Sequence, residues 1–99
     1  VWSLIDAFRE IYERKELSYK EDILFSIETV SVEERSDQII NFIKTRKEVD
    51  FFEIFNEDKS KPQLIITFLS ILELVKGGLL DIAQDSPNNK IRISYIGEE

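Results

Sequence analysis

The sequence predicts a mainly α-helical fold with a small β hairpin, of the α+β class. Apolar residues recur at helical spacing in several separate stretches, and two of these stretches open with a capping residue. Near the C-terminus, apolar and polar residues alternate on both sides of a turn-forming segment. A length of 99 residues is enough for one small domain with an additional N-terminal element.

The N-terminal part predicts one helix and one strand. Residues 3–15 carry a single apolar stripe at helical spacing, formed by Leu4, Phe8, Ile11 and Tyr12. The polar residues 16–22 predict a loop, and the composition of residues 15–22 makes them the best candidate for a hinge. Alternation over 23–30 predicts a short strand. We therefore divide the chain into residues 1–30, an N-terminal helix plus connecting strand, and residues 31–99, a compact domain.

A second helix is predicted to begin at Ser31. The Ser31 hydroxyl can accept a hydrogen bond from a free backbone N–H of the first turn, and Glu34 can reach back to the cap. A short extended piece at 48–50 follows this helix. A brief helix then ends near Asp58, and its buried face is predicted to hold Phe51, Ile54 and Phe55.

The third helix is predicted to begin after Ser60, with Pro62 in its first turn, and to end at Gly77-Gly78. Its core stripe is predicted to consist of Leu64, Phe68, Ile71 and Val75. Within that stripe, we expect Phe68 to lie where the helices meet.

A hairpin closes the chain. Residues alternate at Leu80, Ile82 and Gln84, and again at Ile91, Ile93 and Tyr95, on either side of a turn at 85–89. Helix, short strand, helix, helix and hairpin is the order of a winged helix. The prediction is therefore a winged helix preceded by an N-terminal helix and a short strand.

Composition excludes several functions. Twenty acidic and 13 basic side chains give a net charge of −7, which disfavours contacts with nucleic-acid phosphates. Cysteine and histidine are absent, so a thiolate or imidazole metal site, a cysteine nucleophile and a histidine base are excluded. Gly77-Gly78 follows a helix and is a cap rather than an anion cradle. We expect no catalytic residues, cofactor or metal, and no enzyme activity.

The chain begins at Val1 and contains no methionine, so we expect it to be a piece of a longer protein. No apolar stretch approaches the roughly 20 residues of a membrane span. The expectation is a soluble intracellular protein that does not contact a membrane.

The third helix lacks the side chains of a DNA reader. Its outward side is predicted to present Ile66, Leu69, Glu73 and Lys76, whereas base edges are read by Arg, Asn, Gln or Lys. Residues 62–99 contain three basic and five acidic side chains, so this half is itself acidic. Either the N-terminal helix or strand covers the apolar side, or it binds another protein.

Two regions are candidates for partner binding. One is the third helix, where Ile65, Ile66 and Leu69 are rimmed by Ser70 and Glu73. The other is the final strand, whose unpaired edge is expected to extend a neighbouring sheet through Ile91, Ile93 and Tyr95. Alternatively, at least one of Ile91 and Ile93 closes the hairpin over the core. Phe52 is a further candidate, because it lies off the apolar stripe of the brief helix.

Residues 27–93 resemble the C-terminal domain of the bacterial and archaeal kleisins, the segregation and condensation protein A family. The resemblance rests on SVEER at 31–35, VDFFEIF at 49–55 and ITFLSILELVK at 66–76, followed by a glycine, two leucines and a short wing. Residues 2–14 are similar to the helix that precedes this domain in the family. Phe52 departs from the family pattern, which has a polar residue there.

The resemblance implies a specific role. Such proteins bridge the two heads of an SMC dimer, and their C-terminal winged helix docks on one ATPase head at the face distal to the coiled coil. A middle segment, mostly outside this chain, binds segregation and condensation protein B. The closed ring organises and segregates chromosomes, which places it in the cytoplasm on the nucleoid. ATP hydrolysis belongs to the SMC heads. The alternative is a winged-helix DNA-binding regulator, which charge and the apolar third helix disfavour.

Overall fold

A computed structural model describes residues 2–14, 31–85 and 90–97. The predicted hinge at 15–22, the predicted strand at 23–30 and most of the predicted hairpin turn lie outside the described residues.

The described residues form three α-helices, one short 3-10 helix and one antiparallel sheet. The helices are α1 (Trp2–Arg14), α2 (Val32–Arg46) and α3 (Lys61–Lys76), with the 3-10 helix at Phe51–Phe55. The strands are β1 (Glu48–Asp50), β2 (Leu80–Asp85) and β3 (Lys90–Tyr95), arranged in the order β1-β3-β2. This arrangement confirms the predicted α+β fold of the winged-helix type.

The helix boundaries follow from the predicted caps. At the start of α2, the Glu34 N–H donates to Ser31 Oγ at 3.1 Å, and the Ser31 N–H donates to Glu34 Oε1 at 3.3 Å. At the start of α3, the Gln63 N–H donates to Ser60 Oγ at 3.2 Å. Gly78 adopts a φ of 80°, a conformation that glycine tolerates well, and the chain turns there into β2.

The final strand lies in the middle of the sheet, which corrects one prediction. Val49 of β1 pairs with Ile93 of β3 on one side, and Ile82 of β2 pairs with Ile93 on the other. The short extended piece at 48–50 therefore occupies the edge of β3 that was expected to be free. The prediction that the final strand extends a neighbouring sheet is wrong.

The buried face of α3 differs in part from the predicted stripe. Leu64 and Ile71 are fully buried as predicted, whereas Phe68 and Val75 are only half-buried. Thr67 and Ser70 are fully buried in their place. A buried hydroxyl is tolerated when it is hydrogen-bonded, and Ser70 Oγ donates to the carbonyls of Val32 and Ile66, at 3.1 and 2.8 Å.

Helix α1 packs on the same core through its predicted stripe. Leu4 and Ile11 of that stripe are buried in the common core, and Phe8 and Tyr12 are partly buried against it. Ala7, which was not part of the predicted stripe, is buried as well. The ring of Phe8 stacks on that of Phe68, so Phe68 faces α1 and does not lie at the centre of the helix junction. The division of the chain into 1–30 and 31–99 stays a prediction.

Candidate partner-binding surface

The outward side of α3 carries exposed apolar side chains. Ile65 is 37% exposed and Leu69 is 44% exposed, and they lie one helical turn apart on the same side. We call these two residues the α3 ridge. Glu73 continues this side and is exposed. Ile66 is half-buried at the margin of the ridge. Ser70 was predicted to lie on the rim, but it is buried, so that prediction is wrong.

Helix α1 covers one flank of α3. Besides the stacking of Phe8 on Phe68, the Lys61 ammonium lies 4.5 Å from the ring centroid of Tyr12. The α3 ridge retains its exposure beside this contact. The N-terminal helix was one of the two elements expected to cover the apolar side of α3, and it covers Phe68 but leaves the ridge exposed. The other, the predicted strand at 23–30, lies outside the described residues.

A hydrogen-bonded network determines which side of α3 faces outward. Arg35 Nε donates to Thr67 Oγ1 at 2.9 Å, and Thr67 Oγ1 donates to Asp58 Oδ2 at 2.6 Å. Arg35 Nη2 also donates to the Ile54 carbonyl at 3.0 Å and lies 3.8 Å from Asp58 Oδ1. The network joins α2, the 3-10 helix and α3, and it holds Thr67 inward, opposite the ridge.

Of the three residues predicted in the wing, which is the hairpin of β2 and β3, only Tyr95 is partly exposed. Ile91 and Ile93 are 3% and 0% exposed, so both close the hairpin over the core and neither offers a docking surface. Tyr95 is half-buried, and the Lys44 ammonium lies 5.4 Å from its ring centroid. A Cβ atom at Gly97 would lie 2.8 Å from the Tyr95 hydroxyl oxygen. Glycine therefore lets the chain pass close to this ring.

Sequence reasoning missed two exposed apolar residues. Ile96 is 55% exposed and Ile5 is 42% exposed. A signal for Ile96 was available, because it follows Tyr95 directly and alternation places it on the opposite side of the strand. Ile5 likewise lies off the predicted stripe of α1.

Phe52 is exposed as predicted. The residue is 38% exposed, and its ring meets the ring of the buried Phe51 edge-on, with centroids 5.9 Å apart. Asp50 caps the 3-10 helix, because its Oδ1 accepts from the Phe52 N–H at 3.4 Å and its own N–H donates to Glu53 Oε1 at 3.0 Å. The α3 ridge, Tyr95 and Phe52 lie on three separate elements.

The described residues form neither a metal-binding cluster nor a membrane-spanning helix. Within residues 2–14, 31–85 and 90–97, no three acidic side chains lie close enough together to hold a metal ion. None of the helices formed by the described residues is long and apolar enough to cross a bilayer.

Comparison with known proteins identifies the family. A family model described as segregation and condensation protein ScpA matches residues 1–96. The chain belongs to this family. The resemblance predicted from the sequence is thereby confirmed.

Individual members of the ScpA family are similar along nearly the whole chain. Segregation and condensation protein A of Bacillus licheniformis is 34% identical over 95 residues, which cover 95% of this chain and 38% of that protein. The protein of the same name from Bacillus subtilis is 28% identical over 95% of this chain and 38% of its own length. That from Listeria monocytogenes is 29% identical over 97% of this chain and 39% of its own length. The chain thus spans about two-fifths of the length of these curated relatives.

The segments that carry the ScpA resemblance coincide with the features that shape the surface. Residues 31–35 hold the α2 capping box and Arg35 of the network. Residues 49–55 include two of the three residues of β1, which pairs with the final strand, and the whole 3-10 helix. Residues 66–76 form most of α3, including Leu69 of the ridge.

Proposed function

We propose that this chain is a non-enzymatic kleisin module that docks on an SMC ATPase head. In this role it helps to close the SMC–kleisin ring for chromosome condensation and segregation. One observation carries the proposal: Ile65 and Leu69 are exposed on the side of α3 where a DNA-reading winged helix needs polar or basic side chains. Neighbouring exposed apolar side chains of this kind are typical of protein-binding surfaces.

The ridge has the composition of an interface centre. Ile65 and Leu69 supply apolar anchors, and Glu73 and Lys76 supply a polar rim along the same helix. Tyr95 adds an aromatic ring with a polar tip, which suits a half-buried anchor. In this proposal α3 and the wing bind the head together, while Ile66 becomes buried at the margin.

The proposal is favoured over a DNA-binding regulator. Arg92, one of the two wing cations, lies 3.4 Å from the Glu48 carboxylate across the sheet. Residues 62–99 carry three basic and five acidic side chains, which oppose the approach of a phosphate backbone. Neither the wing nor α3 therefore offers a basic recognition surface.

The wider assembly follows from the proposed family role. ATP hydrolysis takes place on the SMC heads, and segregation and condensation protein B binds parts of the parent protein mostly outside this chain. The complex acts in the cytoplasm on the nucleoid. In this proposal neither this chain nor its wing binds nucleic acid directly, and no membrane is involved.

The test is binding of the 99-residue chain to two probes, the SMC head domain of the same organism and a duplex DNA. We expect the chain to co-elute with the head in gel filtration and to show no nanomolar affinity for the duplex. Failure to bind the head, together with nanomolar DNA binding that weakens steeply with salt, would support the regulator instead.

A further inference from the structure

An open groove runs beside the α3 ridge, between the first turns of α2 and the last turns of α3. Its volume is about 770 Å³, and its apolar lining comes from Val32, Leu69, Leu72 and Leu74. Ligand-binding clefts in proteins commonly measure about 300–1,000 Å³. Because Leu69 of the ridge is 44% exposed, the apolar side that it contributes to the groove is accessible from solvent.

The rim of this groove is acidic. Glu33 and Asp37 of α2 and Glu73 of α3 line it, and Lys76 is the cation that lines it with them. None of the ion pairs among the described residues involves these three carboxylates. The positive N-terminal end of α2 and the negative C-terminal end of α3 meet here, so their dipoles largely offset each other.

We propose that the groove binds a basic amphipathic segment of the SMC head. Apolar side chains of that segment lie on Leu69 and Leu72, and its Lys or Arg side chains face the carboxylates of the rim. The inference rests on the proposed function, because Leu69 belongs to both surfaces, and it adds the chemistry of the partner segment.

Charge complementarity selects this occupant over two others. Residues 15–30 of the chain contain two lysines and four acidic side chains, so an acidic rim disfavours them. A second copy of the chain carries a net charge of −7 and is disfavoured for the same reason. Nucleic acid does not fit either, because its phosphates would be repelled by the acidic rim.

The test measures the Kd of the 99-residue chain for the SMC head domain at several salt concentrations. The variant Asp37→Lys/Glu73→Lys reverses two rim charges, and Glu57→Lys/Asp81→Lys makes the same change of net charge at exposed positions outside the groove lining. We expect the rim variant to bind at least tenfold more weakly than this control. Its affinity should also depend less on salt, because fewer attractive charge pairs remain.

The outcomes separate the inference from the proposed function. If the rim variant and its control bind alike while Leu69→Arg abolishes binding, the head docks on α3 without a basic segment in the groove, and the inference is overturned. If the wild-type chain does not bind the head, both proposals fail. If the wild-type chain forms a dimer that the rim variant disrupts, a second copy is the occupant and the inference is overturned. Circular dichroism of each variant shows whether it remains folded.

Discussion

The ring of Phe8 in α1 stacks face to face on the ring of Phe68 in α3, with centroids 4.3 Å apart and planes inclined by 8°. Phe8 also lies 5.6 Å from Phe55 of the 3-10 helix, centroid to centroid. One side chain of α1 therefore joins two elements of the winged-helix core. This contact explains why Phe68 is half-buried at the flank of α3 and does not lie at the centre of the helix junction.

Replacing either ring should destabilise the chain. Each of Phe8→Ala and Phe68→Ala is expected to lower the free energy of unfolding by about 2–4 kcal/mol, since both rings are half-buried. In a double-mutant cycle the stacked pair should show a coupling of about 0.5–1.5 kcal/mol. Urea unfolding of the four proteins measures this coupling. Strictly additive effects would show that the two rings do not interact in solution.

The buried network predicts a cost for removing a single hydroxyl. Thr67→Val keeps the shape of the side chain but removes the donor to Asp58 and the acceptor for Arg35. The free energy of unfolding should fall by about 1–3 kcal/mol, because buried polar groups lose hydrogen bonds. The exposed Thr45→Val is the control, with an expected change within about 0.5 kcal/mol. Equal effects of the two substitutions in chemical unfolding would contradict this role.

The α2 cap predicts a smaller, local effect. Ser31→Ala removes the acceptor of the Glu34 N–H at the start of α2. The free energy of unfolding should fall by about 1 kcal/mol, since a serine N-cap typically stabilises a helix by that amount relative to alanine. Thermal unfolding followed by circular dichroism measures it, and an unchanged Tm would show that the capping box contributes nothing.

The helices could be predicted from the sequence because their ends carry strong local signals. The Ser31 and Ser60 side chains each accept a hydrogen bond from a backbone N–H in the first turn of the helix that follows. Gly78 turns the chain after α3 through its positive φ. None of these signals depends on distant residues. The same holds for the hairpin, whose alternation continues through both described strands. Local chemistry therefore sufficed for the order of these elements.

The inward side of α3 could not be read from hydrophobicity alone. Thr67 and Ser70 are buried because their partners, including Asp58 and Arg35, come from elsewhere in the fold. The central place of β3 likewise depends on pairing with the distant strand β1. Because of these contacts, Ser70, Ile91 and Ile93 are buried, although each was predicted to lie at a partner-binding surface. Ile65 and Leu69 make no such contact and are exposed as predicted.

The wing cations should not be needed for chromosome association. Arg92 pairs with Glu48 at 3.4 Å, and Lys90 lies exposed at the start of β3. The variant Lys90→Glu/Arg92→Glu, introduced into the parent protein, is expected to leave chromosome association of the SMC complex intact. Chromatin immunoprecipitation measures the association. Loss of loading by a variant that still binds the SMC head would instead indicate a direct contact with DNA.

The most direct test of head docking introduces a charge into the α3 ridge and the wing. Leu69→Arg and Tyr95→Arg are compared with Asn41→Arg, which adds the same charge at an exposed position of α2. Calorimetric titration with the SMC head should show at least a hundredfold loss of affinity for the first two variants and wild-type affinity for the third, all three remaining folded by circular dichroism. Wild-type affinity of both Leu69→Arg and Tyr95→Arg would contradict docking through α3 and the wing, and would make the exposed Phe52 the next surface to test.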